Sequence, residues 1–244
     1  MRVHALRVVT VLAILVAWEL TVRAGLADPL FVPEPTAVVR VLGAVTRAAL
    51  GSFAETLGKV AVAYGLSVVL GVGLGVILGS ARAMRDVLNP FVVLLYGLPK
   101  ILVLPWIILL MGTGAAPAVL YGTLHGFFPV LLLVMGSVRD IDPTLVVVAR
   151  AFGATAGQIY LRVILPAIVP AVLGGMRLGI VFALLGVLIV EMFSGIRGIG
   201  FLLGAYANSF QAAELFAATL LVSSVSMGIV LVLDSMTGRL SRWR

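Results

Sequence analysis

The sequence predicts an all-α polytopic membrane protein with six transmembrane helices. Three observations carry this expectation: an apolar excess, the spacing of the apolar runs, and the uneven placement of positive charge. Of the 244 residues, 62% are hydrophobic and only 11% charged, and the mean hydropathy is +1.22. A soluble domain of this length is roughly half apolar and a quarter charged, and a water-facing core cannot absorb the surplus. The chain has no cysteine, which excludes disulfides, thiolate metal sites and cysteine nucleophiles.

A bilayer core of about 30 Å takes ~20 helical residues. Runs of that length and polarity fall at residues 8–25, 57–79, 90–111, 117–136, 167–193 and 216–236. Arg2 and Arg7 precede the first run as they would a signal peptide. Trp18, Glu19 and Arg23 then follow without a small-residue cleavage site, so a retained anchor is expected.

With an even number of spans, both ends lie on one side. Placing them in the cytoplasm puts Arg2, Arg7, Arg82, Arg85, Arg139, Arg150, Arg162, Arg239, Arg242 and Arg244 inside. Only Arg23, Arg40, Arg47, Lys59 and Arg197 then lie outside or near the outer helix ends. The positive-inside rule selects this arrangement. The sequence pI near 10.6 is therefore a topology signal, and no nucleic-acid partner is expected.

Two outer segments are expected not to span. In residues 35–50, Val38, Val41, Leu42, Val45 and Ala49 share a stripe, with Arg40 and Arg47 elsewhere, as in a helix lying on the surface. Residues 194–215, "SGIRGIGFLLGAYANSFQAAEL", suit a re-entrant or lid-like helix. Within the second span, Gly71, Gly75 and Gly79 form a small-residue row that lets helix backbones approach in lipid, inside the chain or at a subunit interface. Pro99 and Pro105 are expected to kink the third span.

Between spans four and five lies "DPTLVVVARAFGATAGQIYLRVILP", residues 142–166, a half-polar insert in an apolar chain. Asp142 then Pro143 reads as an N-cap followed by proline at the first helical position. Gly153 suits a left-handed C-terminal turn, and Thr155 to Gln158 is a capping-box pattern that starts a second helix, expected to end at Pro166. The product is a helix–glycine–helix elbow whose apolar first helix calls for a soluble partner.

This segment resembles the signature loop of binding-protein-dependent ABC importer permeases: Glu-Ala-Ala, three residues, Gly, nine residues, Ile-x-Leu-Pro. Here it reads Val147-Val148-Ala149, Gly153, then Val163-Ile164-Leu165-Pro166. The glycine-to-proline spacing holds, whereas Glu and the first Ala are replaced by valines and Ile by Val163. "FVPEPTAVV", "YGLPKILVLPWIILLMGTG", "FFPVLLLVMGSVRDIDP", "GMRLGIVFALLGVLIVEMFSGIRGIGFLL" and the terminal "RLSRWR" extend the likeness over nearly the whole chain, most similar to the nitrate/sulfonate/taurine-type branch.

The resemblance implies a type I ABC importer permease (MetI-like) fold in a prokaryotic inner membrane. An anchor and connector would occupy residues 1–54, a permease core 55–238 with a coupling loop at 137–166, and a basic tail 239–244. Two permease subunits, expected to be identical, would form the pathway for a small anion such as nitrate, a sulfonate or taurine. A solute-binding protein would deliver the anion, and two cytosolic ATPases would grip the elbow. Val147, Val148, Ala149, Arg150, Gly153, Ala154, Leu165 and Pro166 would form the coupling loop. Gly153 would supply its turn and Ala149 a close fit; with the Glu missing, the coupling would either tolerate its loss or rely on Arg150. The sequence holds no Gly-rich phosphate loop ending in Gly-Lys-Ser/Thr. ATP and Mg are therefore expected on the partner ATPase, with no cofactor or metal on this chain.

Charges at membrane depth are costly and are functional candidates; Lys100, His125, Arg177 and Glu191 are the candidates here. Lys100 either faces an anion or snorkels to the interface. Arg177 is expected to pair with a carboxylate, a carbonyl or the second subunit, Glu191 with Arg197, and His125 to pack with a hydrogen bond. The alternative reading, an ATP-independent secondary transporter or channel, calls for an inverted repeat that the sequence does not display. An intramembrane enzyme would need paired acid–base groups, and the two histidines, His4 and His125, are far apart.

Overall fold

The computed structural model describes residues 2–240 except Ile196, with side chains described for 6–235. The side chains of Arg2, His4, Arg239, Arg242 and Arg244, and with them the expected tail 239–244, lie outside that set. Among the described residues every regular element is helical. In order they are α1 (Arg2–Arg23), α2 (Pro35–Ser80), α3 (Arg82–Gly97), a 3-10 turn (Lys100–Val103) and α4 (Leu104–Met111). There follow α5 (Ala115–Arg139), α6 (Pro143–Ala151), α7 (Ala156–Ile159), a π turn (Tyr160–Ile164), α8 (Leu165–Ser194), α9 (Ile199–Asn208) and α10 (Ala212–Leu240).

Among the described residues four helical stretches are long and apolar enough to cross a membrane: Pro35–Ser80, Ala115–Arg139, Ala156–Ser194 and Ala212–Ser235. A fifth crossing exists if α3 and the Lys100–Met111 segment, bent by 84°, form one broken span. The expected first span, 8–25, falls on α1 and stops at Arg23.

The surface helix expected at 35–50 is not a separate element. It is the first third of α2, one unbroken helix of 46 residues, about 69 Å long at 1.5 Å per residue. No proline follows Pro35 before Ser80, so nothing interrupts the hydrogen-bond ladder where a break was expected. The apolar stripe covers protein: Val38 and Val45 bury against Leu203 of α9 and Ala217 and Ala218 of α10, while Arg40 and Arg47 stay exposed.

The core is the triple contact of α2, α5 and α8, and glycine makes it possible. A Cβ on Gly71, Gly75 or Gly79 would stand 2.8, 2.8 and 2.6 Å from the Cβ of Val130, Val134 and Val138. The glycine row therefore packs α2 against α5 within the chain. On the other side of α5, a Cβ on Gly186 would come within 2.8 Å of Gly122 Cα, and one on Gly126 within 2.8 Å of the Gly179 carbonyl. Such close approach supplies dispersion contacts where lipid gives no hydrophobic drive. Ser67, fully buried, donates to the carbonyls of Ala63 (2.8 Å) and Thr123 (3.0 Å) and ties α2 to α5.

The third span breaks as its prolines predict, with the break at Leu98 and Pro99, both in extended backbone. Pro105 sits at the start of α4, where its missing N–H costs nothing.

Gly75→Ala tests the core directly. It should lower the melting temperature in detergent by several degrees, since overpacking costs about 1–3 kcal/mol. Gly73→Ala, where a Cβ meets nothing within 4 Å, should leave it unchanged or raise it slightly through helix propensity. Equal melting temperatures for the two variants would contradict the packing account.

Candidate functional site: the elbow and the charges in the spans

The elbow forms as its local signals dictate. Asp142 Oδ1 accepts from the Thr144 N–H at 2.8 Å, and Pro143 opens α6. Hydrogen bonds from the Thr144 hydroxyl and N–H hold the Asp142 carboxyl below its usual range. The cap therefore stabilises at neutral pH and weakens as pH falls through that lowered value. At the other end Gly153 takes φ +78°. Ala154 N donates to Ala149 O (3.0 Å) and Gly153 N to Arg150 O (2.9 Å), the paired bonds of a Schellman turn. Thr155 and Gln158 then close a reciprocal capping box, N to Oε1 at 2.9 Å and N to Oγ1 at 3.4 Å.

The second elbow helix does not end at Pro166. It continues as one helical stretch from Ala156 to Ser194. Pro166 cannot donate, and its ring crowds the carbonyl four residues back. The chain absorbs this by widening Tyr160–Ile164 into a π turn in which Leu165 N reaches Tyr160 O. The elbow is thus continuous with the long apolar helix α8.

One face of α6 is anchored. Val146, Ala149 and Ala154 pack on a cluster of Val130, Val134, Val138, Ile159, Ile164 and Ile168. The other face is bare: Leu145, Val147 and Val148 are exposed, and Phe152 is 89% exposed. Of the remaining loop candidates, Arg150 and Leu165 are exposed and Pro166 is half-buried. Beside the elbow a cavity of about 420 Å³ separates it from the end of α2, lined by Arg85, Arg139, Arg150 and Tyr160 among others.

The expected pairing of Glu191 with Arg197 does not occur. Glu191, 1% exposed, accepts from Lys59 Nζ (2.7 Å), from Thr56 Oγ1 (2.8 Å to Oε2) and from Gly200 N (3.0 Å). Arg197 instead lies 3.6 Å from Glu55. Lys59 also donates to the Arg197 carbonyl (3.0 Å), and Ile199 N donates to Thr56 Oγ1 (2.9 Å). The turn before α9 is wrapped tightly round this carboxylate: a Cβ on Gly198, φ +120°, would fall 2.2 Å from Glu191 Oε1. Sequence reasoning missed Thr56 and Lys59. The available signal was a lysine near the start of one expected span and a glutamate near the end of another, two ends that the expected topology puts on the same side.

Arg177 pairs with Asp234 of α10, one of the partners its position allowed. His125 Nδ1 lies 3.0 Å from the Tyr121 carbonyl, so that nitrogen carries the proton. Lys100 Nζ donates to Tyr96 O (3.2 Å) and sits 4.7 Å from the Tyr96 ring centroid and 5.4 Å from that of Phe128. The four candidates are thus dispersed: Glu191 at the clasp before α9, Arg177 on the α8–α10 seam, and Lys100 near His125 beside α5.

Residues 68–244 match the family model described as binding-protein-dependent transport system inner membrane component. The chain belongs to that family. It is a permease subunit of an ABC importer. The permease is 24% identical over 241 residues to the taurine transport system permease protein TauC of Escherichia coli strain K12, covering 96% of this chain and 88% of that one. It is 25% identical to the putative aliphatic sulfonates transport permease protein SsuC of Bacillus subtilis strain 168, covering 95% and 84%. It is 26% identical to the nitrate import permease protein NrtB of a Synechocystis species, covering 70% and 62%. Its fold is similar to that of an inward-facing MetNI methionine ABC transporter chain, with TM-score 0.67 at 21% identity, covering 77% of the permease and 93% of that chain.

Breaking the buried pair of the permease from one side should be costly. Glu191→Ala strands the Lys59 ammonium and Lys59→Met strands the carboxylate, each at about 3–5 kcal/mol. The double variant Lys59→Met with Glu191→Gln should recover much of that loss in thermal unfolding. A double variant no better than the worse single would refute the coupling.

Proposed function

We propose that this permease is driven by a separate cytosolic ATPase seated on the bare face of α6, and that it carries a small anion of the nitrate, sulfonate or taurine kind. The observation that carries the first half is the elbow. An apolar face comprising Leu145, Val147, Val148 and Phe152 stands in solvent on a helix whose opposite face is anchored to the core. A contiguous apolar patch of this sort marks a partner site. In this reading the elbow is the coupling helix. ATP and Mg bind the partner, whose closure moves α6, and the rigid continuation through α7 and α8 carries the movement into the bundle.

The second half draws on the sulfonate, taurine and nitrate relatives and on Lys100, a cation at membrane depth. Two copies of the permease enclose the pathway, and an extracytoplasmic binding protein delivers the solute. With α1 as a sixth crossing, its apolar side chains from Leu6 to Leu20 largely exposed, both termini lie in the cytoplasm of a prokaryotic inner-membrane protein.

The test is copurification. The tagged permease, extracted gently from its native membrane, should bring down an ATPase of the P-loop class. Val147→Asp with Phe152→Asp, both exposed and remote from the core, should cut its recovery at least tenfold while the permease itself accumulates normally. Undiminished recovery would move the docking site elsewhere.

A further inference from the structure

The charges in the spans sort by partner, and one is left over. Glu191 has Lys59, and Arg177 has Asp234. Lys100, among the described residues, has no carboxylate within salt-bridge reach. One of its three N–H donors goes to Tyr96 O, and two aromatic faces lie nearby. Phe128, one of those faces, is eleven residues from the end of α5 at Arg139, about 17 Å along the helix at 1.5 Å per residue. The ammonium therefore stands near mid-membrane.

The backbone beside it is also anomalous for that depth. Leu98 and Pro99 are extended, and the helix axis turns by 84° across them. Non-helical backbone at membrane depth is tolerated only where protein buries it or water reaches it. Within a single chain it is not buried: α3 has no buried residue, and Leu98, Ile101, Leu102 and Val103 are all exposed. The break and its lysine therefore face either the second copy or a wet pathway between the copies. An ammonium without a counter-ion is tolerated in the wet setting, where a passing anion can reach it.

We propose that Lys100 is the anion-recognising point of the translocation pathway. Its ammonium takes the negatively charged group of the passing solute at mid-membrane, while Tyr96 and Phe128 hold the side chain at the wall. A point cation with free rotors suits this task, because it binds sulfonate, carboxylate or nitrate without the fixed fork of an arginine and releases them readily. The inference rests on reading the chain as part of an anion importer.

The test uses the complete importer, with its ATPase and binding protein, in proteoliposomes. Uptake of nitrate, methanesulfonate and taurine is measured beside ATP hydrolysis. For the anion that the wild type accumulates, Lys100→Met should lower the solute taken up per ATP hydrolysed at least tenfold. Lys100→Arg should restore it to within about threefold, and Arg47→Met, which removes an equal charge on another helix, should not change it. An unchanged ratio in Lys100→Met overturns the proposal, as does a loss in Lys100→Arg as deep as in Lys100→Met, which marks a packing role. ATP hydrolysis without uptake of any of these three solutes by the wild type overturns instead the anion reading beneath it.

Discussion

Three helices meet backbone to backbone, and the rest of the molecule is hung on that contact. In lipid, side chains gain little by leaving their surroundings, so helix association depends on closeness and shape. The glycine row of α2 receives the valine row Val130, Val134 and Val138 of α5, and Gly122 and Gly126 bring α5 against α8. Each valine rests on a surface with no room for even one added carbon. The interface is therefore either fully formed or lost, which is the behaviour expected of a rigid body.

Both the elbow and the buried polar clasp are fixed to that body. On one side, Val130, Val134 and Val138 also contribute to the cluster that anchors α6 and α7, so the residues that lock the core also seat the elbow. On the other side, Glu191 of α8, Thr56 and Lys59 of α2, and the glycine turn before α9 form a buried polar clasp. A hydrogen-bonded carboxylate in this setting specifies one arrangement of the turn before α9, because every alternative leaves a charge without partners. Between the two lies the break at Leu98 and Pro99, where a single chain leaves α3 and its neighbours uncovered.

Much of this was legible in the sequence, and the reasons are local. The Asp142-Pro143 start, the Gly153 turn and the Thr155–Gln158 box are each decided within five residues, so their chemistry is visible in the string. The kink at Pro99 was legible for the same reason. Long-range pairings were not. Glu191 lies 135 residues from Thr56, and a nearby arginine in sequence was a poor guide to the partner in space. The continuity of α2 was hidden because a change in hydropathy near residue 50, with Gly51 and Ser52 beside it, imitates a boundary, although no proline enforces one and the helix runs through both residues. The π turn escaped because Pro166 ordinarily ends a helix, and only the structure displays how one widened turn lets it pass. The α5–α8 contact was present in the spacing of Gly122 and Gly126 and of Gly175 and Gly179, a signal overshadowed by the more regular row in α2.

If an ATPase drives the permease, the elbow should move as part of one rigid body. A chain without cysteine permits a direct measurement: single spin labels at Gly157, an exposed position of α7 outside the bare face of α6 where a Cβ meets nothing within 4 Å, read by double electron–electron resonance in the intact importer with and without ATP. Movement as one body predicts a dipolar distance between two copies that shortens when ATP binds, while an intrachain pair at Gly157 and Leu50 keeps its distance. An intercopy distance indifferent to ATP, or an intrachain distance that changes as much, would contradict it.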